Sequence, residues 1–126
     1  MNLPLGFRYS ALYAGIRKIA KDDLSLIVSD VPAAAAGVFT QNKAMAAPVI
    51  LSKKNLAATK GTASAILTNA GNANCATRTG MKVALETTRA VAKALRVPAS
   101  KVLVCSTGVI GVEMDGSKIT TKAQSL

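Results

Sequence analysis

The stretch from residue 63 to residue 108 limits what this chain can fold into more than any other part of it. It opens on ASAILTNAGNAN (63–74), an apolar run that passes into a polar, glycine-containing segment. It continues through TGMKVALETTRAVAKALRVP (79–98) and closes on KVLVCSTG (101–108). In the middle segment Met81, Ala84, Leu85, Thr88, Val91, Ala92 and Leu95 recur at helical spacing. Lys82, Glu86, Arg89, Lys93 and Arg96 take the opposite side. Such a division marks an amphipathic helix lying on a core. Glu86 can pair with Arg89 three residues on, and Pro98 stops propagation. The flanking runs are short and bounded by turn residues, so they read as strands, from about Ala63 to Thr68 and over 101–108. Strand, helix and strand in that order predict a right-handed crossover between parallel strands over 64–106.

The remaining apolar runs are shorter still. LSLIVSD (24–30) alternates Leu24, Leu26 and Val28 against Ser25, Ile27 and Ser29 and reads as a strand. AAGVFTQN (35–42) reads as another, and APVILSKKN (47–55) as a third entered through Pro48, with SKKNLAATK (52–60) forming a short helix behind it. The pattern predicts a mixed α/β fold. With 126 residues and no internal repeat or low-complexity linker, residues 1–126 are expected to form a single domain. Phe7, Tyr9, Tyr13 and Phe39 are the only aromatic residues, so the core must be built from Ala, Val, Leu and Ile. No run approaches the roughly 18 apolar residues of a membrane span. The opening MNLPLGFRYSALYAGIRK has no long apolar segment behind a basic start, so neither a secretory signal nor a membrane partner is expected, and the expected compartment is the cytoplasm.

Composition removes several chemistries. The chain has no histidine, which excludes a Ser-His or Cys-His nucleophile and every histidine metal site. Cys75 and Cys105 are too far apart for a CxxC pair and too few for a zinc site, so no metal or cofactor is expected and both thiols are expected to be reduced and mostly buried. Cys105 as a nucleophile lacks a base. The net charge of +10 suits an acidic partner, but the basic residues are scattered in runs of at most two and lack interleaved stacking aromatics. A nucleic-acid interface concentrates its charge and adds such rings, so this reading is the weakest.

Two loops carry the chemistry, NAGNANCATRTG (69–80) and STGVIGVEMDG (106–116). Both follow apolar strands. If the strands are neighbours, the loops emerge at one sheet edge, where open α/β sheets place sites. Asn69, Asn72 and Asn74 supply amide donors and acceptors, and Gly71 permits a positive φ. The same asparagines also suit a tight turn bonded to its own backbone. At Ser106-Thr107-Gly108 a threonine hydroxyl and a glycine N–H can converge on one oxygen, because glycine adds no side chain to block approach. Such a pair can hold the negative charge that develops on an acyl carbonyl, and needs no histidine.

GFRYSALYAGIRK (6–18), DDLSLIVSD (22–30), AAGVFTQN (35–42), AAPVILS (46–52), NAGNANCATRTG and STGVIG together resemble the N-terminal part of the ornithine acetyltransferase family, the bifunctional glutamate N-acetyltransferases of arginine biosynthesis. The resemblance implies an α-β-β-α sandwich of which this chain would be the N-terminal portion. It implies a cytoplasmic acyltransferase that moves acetyl from N-acetylornithine to glutamate, with acetyl-coenzyme A as a possible second donor. It implies a precursor that cuts itself before a threonine, whose hydroxyl then attacks. Thr107 and Gly108 match the family's oxyanion-hole pair, with Asn69, Asn72, Asn74 and Ser106 as support from the two loops. The family's Lys-Gly-Ala-Thr cleavage motif lies beyond STGVIG and is not found here; Lys60-Gly61-Thr62-Ala63 is only an echo of it. The nucleophile is therefore expected on a complementary C-terminal chain, in a hetero-oligomer, and this chain is expected to be inactive alone. A non-catalytic interaction domain of the same fold is the competing expectation.

Overall fold

The computed structural model describes residues 3–126. Its elements run β1 (Phe7–Leu12), β2 (Leu24–Ala34), α1 (Ala47–Ala58), β3 (Thr62–Asn72), α2 (Gly80–Leu95), a 3-10 turn (Ala99–Lys101), β4 (Val102–Val109) and α3 (Ser117–Thr120). The four strands form one sheet in the order β1-β2-β3-β4. Neighbours β1/β2 and β2/β3 are antiparallel, while β3 and β4 are parallel and joined through α2, as the strand–helix–strand pattern requires. The mixed α/β class holds.

The core lies on one face of the sheet. Leu24, Leu26 and Val28 of β2 share that face with Ala65 and Leu67 of β3 and Val102 and Val104 of β4, packed beneath Leu51 of α1 and Val83, Ala84, Val91 and Ala92 of α2. Of the predicted stripe of α2, Ala84, Thr88, Val91 and Ala92 are buried, Leu85 and Leu95 are half-buried and Met81 is exposed, while Gly80, Val83 and Thr87 are buried in addition. Glu86 pairs with Lys82 at 3.9 Å rather than with Arg89. The helix stops at Arg96, which takes a left-handed φ of 58° and returns its N–H to Lys93 at 3.2 Å. On the opposite sheet face Phe7, Tyr9, Ile27, Ile66 and Val109 remain partly exposed.

Three sequence expectations change. Residues 35–42 are not a strand. Only Ala35 continues the pairing, through its N–H to Gly61, and beyond it Thr40 and Asn42 accept the N–H groups of Asn42 and Ala44 and so turn the chain locally. Residues 47–55 are helix, not strand. Pro48 falls in the first turn, where its missing N–H costs nothing, and the buried positions Pro48, Leu51, Ser52 and Asn55 have helical spacing. The short helix expected over 52–60 is the second half of α1. Finally, β3 runs on through the asparagines to Asn72, and β1, which no periodicity announced, forms the outer strand.

Candidate active site

The site is set by the outer edge of β4. A strand alternates the direction of its backbone N–H and C=O pairs residue by residue. Ser52 of α1 donates its hydroxyl to the Val104 carbonyl at 2.8 Å and accepts the Val104 N–H at 2.9 Å. Asn55 Nδ2 donates to the Val102 carbonyl at 3.0 Å. Residues 102 and 104 thus turn their polar groups away from β3 and onto α1. The alternation gives the Gly108 N–H the same outward direction, past the helix and outside the β3–β4 ladder. Thr107, paired with Ala70, lies between exposed neighbours on the sheet face that the helices leave open.

Gly108 has to be glycine. Its φ is +133°, and a Cβ there would overlap the Gly71 carbonyl and the Asn72 nitrogen. Gly71 plays a different part from the one its sequence context suggested. Positive φ in this loop falls on Asn74 and Ala76 instead, and a Cβ at Gly71 would come within 2.9 Å of Ile16 and 3.1 Å of Arg17. The missing side chain lets the segment 13–22 lie directly on the strand end.

Thr107, Gly108, Gly71 and Asn72 line a cleft of about 1160 Å³. Its near wall is residues 16–21, folded around a residue that sequence reasoning passed over. Asp23 is buried, and its carboxylate accepts the N–H groups of Ala14 at 2.7 Å, Ile16 at 2.6 Å and Arg17 at 2.8 Å. A charged side chain immediately before an apolar strand was the available signal. The far wall is residues 112–115, tied to the asparagine loop by Asn72 Nδ2 donating to the Val112 carbonyl at 2.9 Å and the Gly111 N–H donating to the Cys75 carbonyl at 2.9 Å. Glu113 accepts the Thr79 hydroxyl, the Arg78 N–H at 2.8 Å and the Thr79 N–H at 3.3 Å. It thereby caps α2, whose own Thr79 makes no side-chain cap. The Thr79 hydroxyl, then the Arg78 amide, hold its carboxyl below the ordinary glutamate range. Nothing in the local sequence announced this long-range cap.

The other expected residues support the floor. Asn69 donates from Nδ2 to the Ser106 hydroxyl at 2.7 Å, beneath the strand ends on the helix side. Asn74 is buried and donates to the Gly80 carbonyl at 2.8 Å, joining the loop to α2. The fold thus brings Thr107, Gly108 and Asn72 to the cleft, and Asn69, Asn74 and Ser106 behind it. Both cysteines are free. Cys75 is half-buried and, contrary to expectation, Cys105 is exposed, because its place in the register, opposite Thr68, puts it on the sheet face away from the helices. Desolvation nevertheless raises its thiol, against a smaller opposing effect of Thr68, which keeps it protonated and a poor nucleophile at neutral pH. Among the described residues no group of histidine, cysteine, aspartate and glutamate is placed to hold a metal, and no helix is long and apolar enough to cross a membrane.

Three comparisons agree. The ArgJ family model matches residues 8–126. The chain is 49% identical over 122 residues to the arginine biosynthesis bifunctional protein ArgJ of Gloeobacter violaceus, covering 96% of this chain and 30% of that protein. It is 48% identical over 116 residues to the ArgJ protein of Nitratidesulfovibrio vulgaris, covering 91% and 29%. Among solved structures it superposes on ArgJ of Bacillus halodurans with a TM-score of 0.89 at 33% identity, covering 95% of this chain and 62% of the other. On the ornithine complex of Mycobacterium tuberculosis ornithine acetyltransferase the TM-score is 0.91 at 37% identity, covering 98% and 66%. The chain spans about 30% of the length of these curated relatives. With the fold, the family model and the identities in agreement, the chain belongs to the ArgJ family of arginine biosynthesis, a family of bifunctional acyltransferases.

Proposed function

We propose that residues 1–126 form one domain that supplies the oxyanion-stabilising half of an acetyl-transfer site. In this reading the complete enzyme moves acetyl from N-acetylornithine to glutamate in the cytoplasm, and acetyl-coenzyme A serves as a second donor. The attacking threonine belongs to a complementary C-terminal chain. Its hydroxyl gives its proton to the threonine's own α-amine and adds to the acetyl carbonyl, the carbonyl oxygen becomes an alkoxide, and the Thr107 hydroxyl and Gly108 N–H donate to it. Collapse breaks the amide bond as the α-amine passes that proton to the departing nitrogen of ornithine, which leaves the acetyl group on the threonine. Glutamate's amine then attacks through a second alkoxide held in the same place, its proton returns to the threonine oxygen by the same route, and N-acetylglutamate departs. Preorganised donors act where charge develops, so they favour the transition state over the bound substrate. The observation that carries the reading is the outward Gly108 amide beside an exposed Thr107 at the floor of the cleft. The ornithine bound to the mycobacterial relative supports the substrate class.

The test is Thr107→Val in the enzyme assembled from this chain and a complementary C-terminal chain. Turnover should fall by about 10²–10³ with KM nearly unchanged. Wild-type turnover would remove Thr107 from the mechanism. The isolated chain should transfer no acetyl group.

The partly exposed sheet face favours a second reading, an interaction domain without chemistry of its own. A stable complex with the complementary chain that transfers no acetyl would select it.

A further inference from the structure

The apolar stripe on the helix side of the sheet is interrupted at one rung. Ala65 and Leu67 of β3 stand opposite Val102 and Val104 of β4, and the next rung on that face is Asn69 opposite Ser106. Asn69 pairs on its other side with Leu24 and, at 3% exposed, is as deeply buried as Leu67. Leu67, Ala84, Val104 and Met114 wall the space beside the pair. Such a position is ordinarily filled by hydrocarbon, because an amide survives burial only while its polar atoms are matched. Two apolar side chains of the same shape would hold the strands together about as well. The polar rung therefore answers to a demand other than stability.

Its place in the chain shows which. Asn69 Nδ2 donates to the Ser106 hydroxyl at 2.7 Å and to Met114 Sδ at 3.8 Å, and its Oδ1 accepts the Asn72 N–H at a long 3.5 Å. Among the described residues, the hydrogen bonds from α1 to β4 reach Val102 and Val104 and stop short of Ser106. Two residues beyond Ser106, Gly108 gives the strand a joint that adds no stiffness of its own. Between the grip of α1 and that joint, the Asn69–Ser106 bond clamps β4 from the helix side.

Side chains alternate across a strand, so clamping Ser106 toward the helices turns Thr107 to the opposite face, where the cleft lies. A short, directional hydrogen bond fixes the roll of the strand about its own axis, which apolar contact does not. We propose that Asn69, acting through Ser106, is a positioning residue that sets the direction of the Thr107 hydroxyl. The use of that hydroxyl on an oxyanion rests on the acetyl-transfer reading; the orientation of the side chain does not.

The test replaces the pair with hydrocarbon, as Asn69→Leu combined with Ser106→Ala. The denaturant midpoint of this double variant should equal or exceed that of the wild-type chain. The NMR order parameter of the Thr107 methyl should nonetheless fall, while that of Thr68, on the same sheet face, stays. In the enzyme assembled with a complementary C-terminal chain, kcat should fall about tenfold with KM within about twofold, a smaller loss than removing the donor itself. In a Thr107→Val background the same double change should cost less than about threefold, since no hydroxyl is left to aim. Should the double variant not fold, Ser106→Ala alone reads the same effects, and Ser106→Thr, which keeps the hydroxyl, should recover most of the loss. Unchanged ordering of Thr107, a full tenfold loss in the Thr107→Val background, or a kcat that merely follows the midpoint across the variants would overturn the proposal. A wild-type assembly that transfers no acetyl would sink the enzymatic reading alone, because the Thr107 methyl still reports the clamp.

Discussion

Two residues fix the cleft, one by lacking a side chain and one by burying a charge. At Gly108 any Cβ meets the backbone of β3 and the φ of +133° is strained for an L-residue. Gly108→Ala should cost about 1–3 kcal/mol from backbone conformation alone and more from overlap. Gly111→Ala separates the two effects, since Gly111 also has a positive φ, +79°, but open space around it. Denaturant midpoints should fall further for Gly108→Ala, and equal losses would show that the overlap relaxes freely. Asp23→Asn substitutes an NH₂ group for an oxygen that receives a backbone N–H. A buried donor left facing a donor costs about 1–3 kcal/mol, so stability should drop by that order. The amides of Ala14, Ile16 and Arg17 should exchange with solvent faster than in the wild type. Asp23 left only a faint signal in the sequence, a charge immediately before an apolar strand, because its partners are backbone groups, which no residue pattern encodes.

At the scale of elements, β3, α2 and β4 were legible because each carries its period in its own apolar side chains. Helix α1 was not. Its inward face is completed by Ser52 and Asn55, which look like surface residues until β4's unpaired edge is present to bond them. The three apolar residues Val49, Ile50 and Leu51 then mimic a strand. Strand β1 was missed for the same reason as the loop after β2: pairing depends on a distant partner. Ser52→Ala should leave the Val104 N–H and C=O without their partner and cost about 2–3 kcal/mol, measured by equilibrium unfolding. Glu113 adds a pH effect. Its folded carboxyl lies below the unfolded value of about 4.3, so its contribution is complete above that pH and is lost as pH falls through the folded value. Protection of the Arg78 and Thr79 amides should decline over that acid range, and Glu113→Gln should remove the dependence. Thr107 and Gly108 were legible only as a motif; the outward direction of the amide comes from α1 covering the strand edge before it.

On the scale of the whole molecule, one sheet face packs under helices and the other presents Phe7, Tyr9, Ile27, Ile66 and Val109 to solvent, beside an exposed run from Val109 to Val112. Apolar surface of this kind favours association, and the edge strand β1 can recruit another strand, whereas α1 covers the edge of β4 at Val102 and Val104. Opposing this is a net charge of +10 spread over the surface, which keeps copies apart. The two effects respond oppositely to salt. The Debye length is about 30 Å at 0.01 M and about 8 Å at 0.15 M ionic strength, so added salt removes the repulsion while leaving burial intact. The isolated chain should therefore sediment as a monomer at low salt and as larger species at moderate salt. Tyr9→Lys, which puts a charge on the open face beside Ile27, should suppress the change. A nucleic-acid surface would respond in the opposite sense, releasing its partner as salt rises. Association that weakens with salt, or that Tyr9→Lys does not alter, would show that the open face is not what draws partners to this chain.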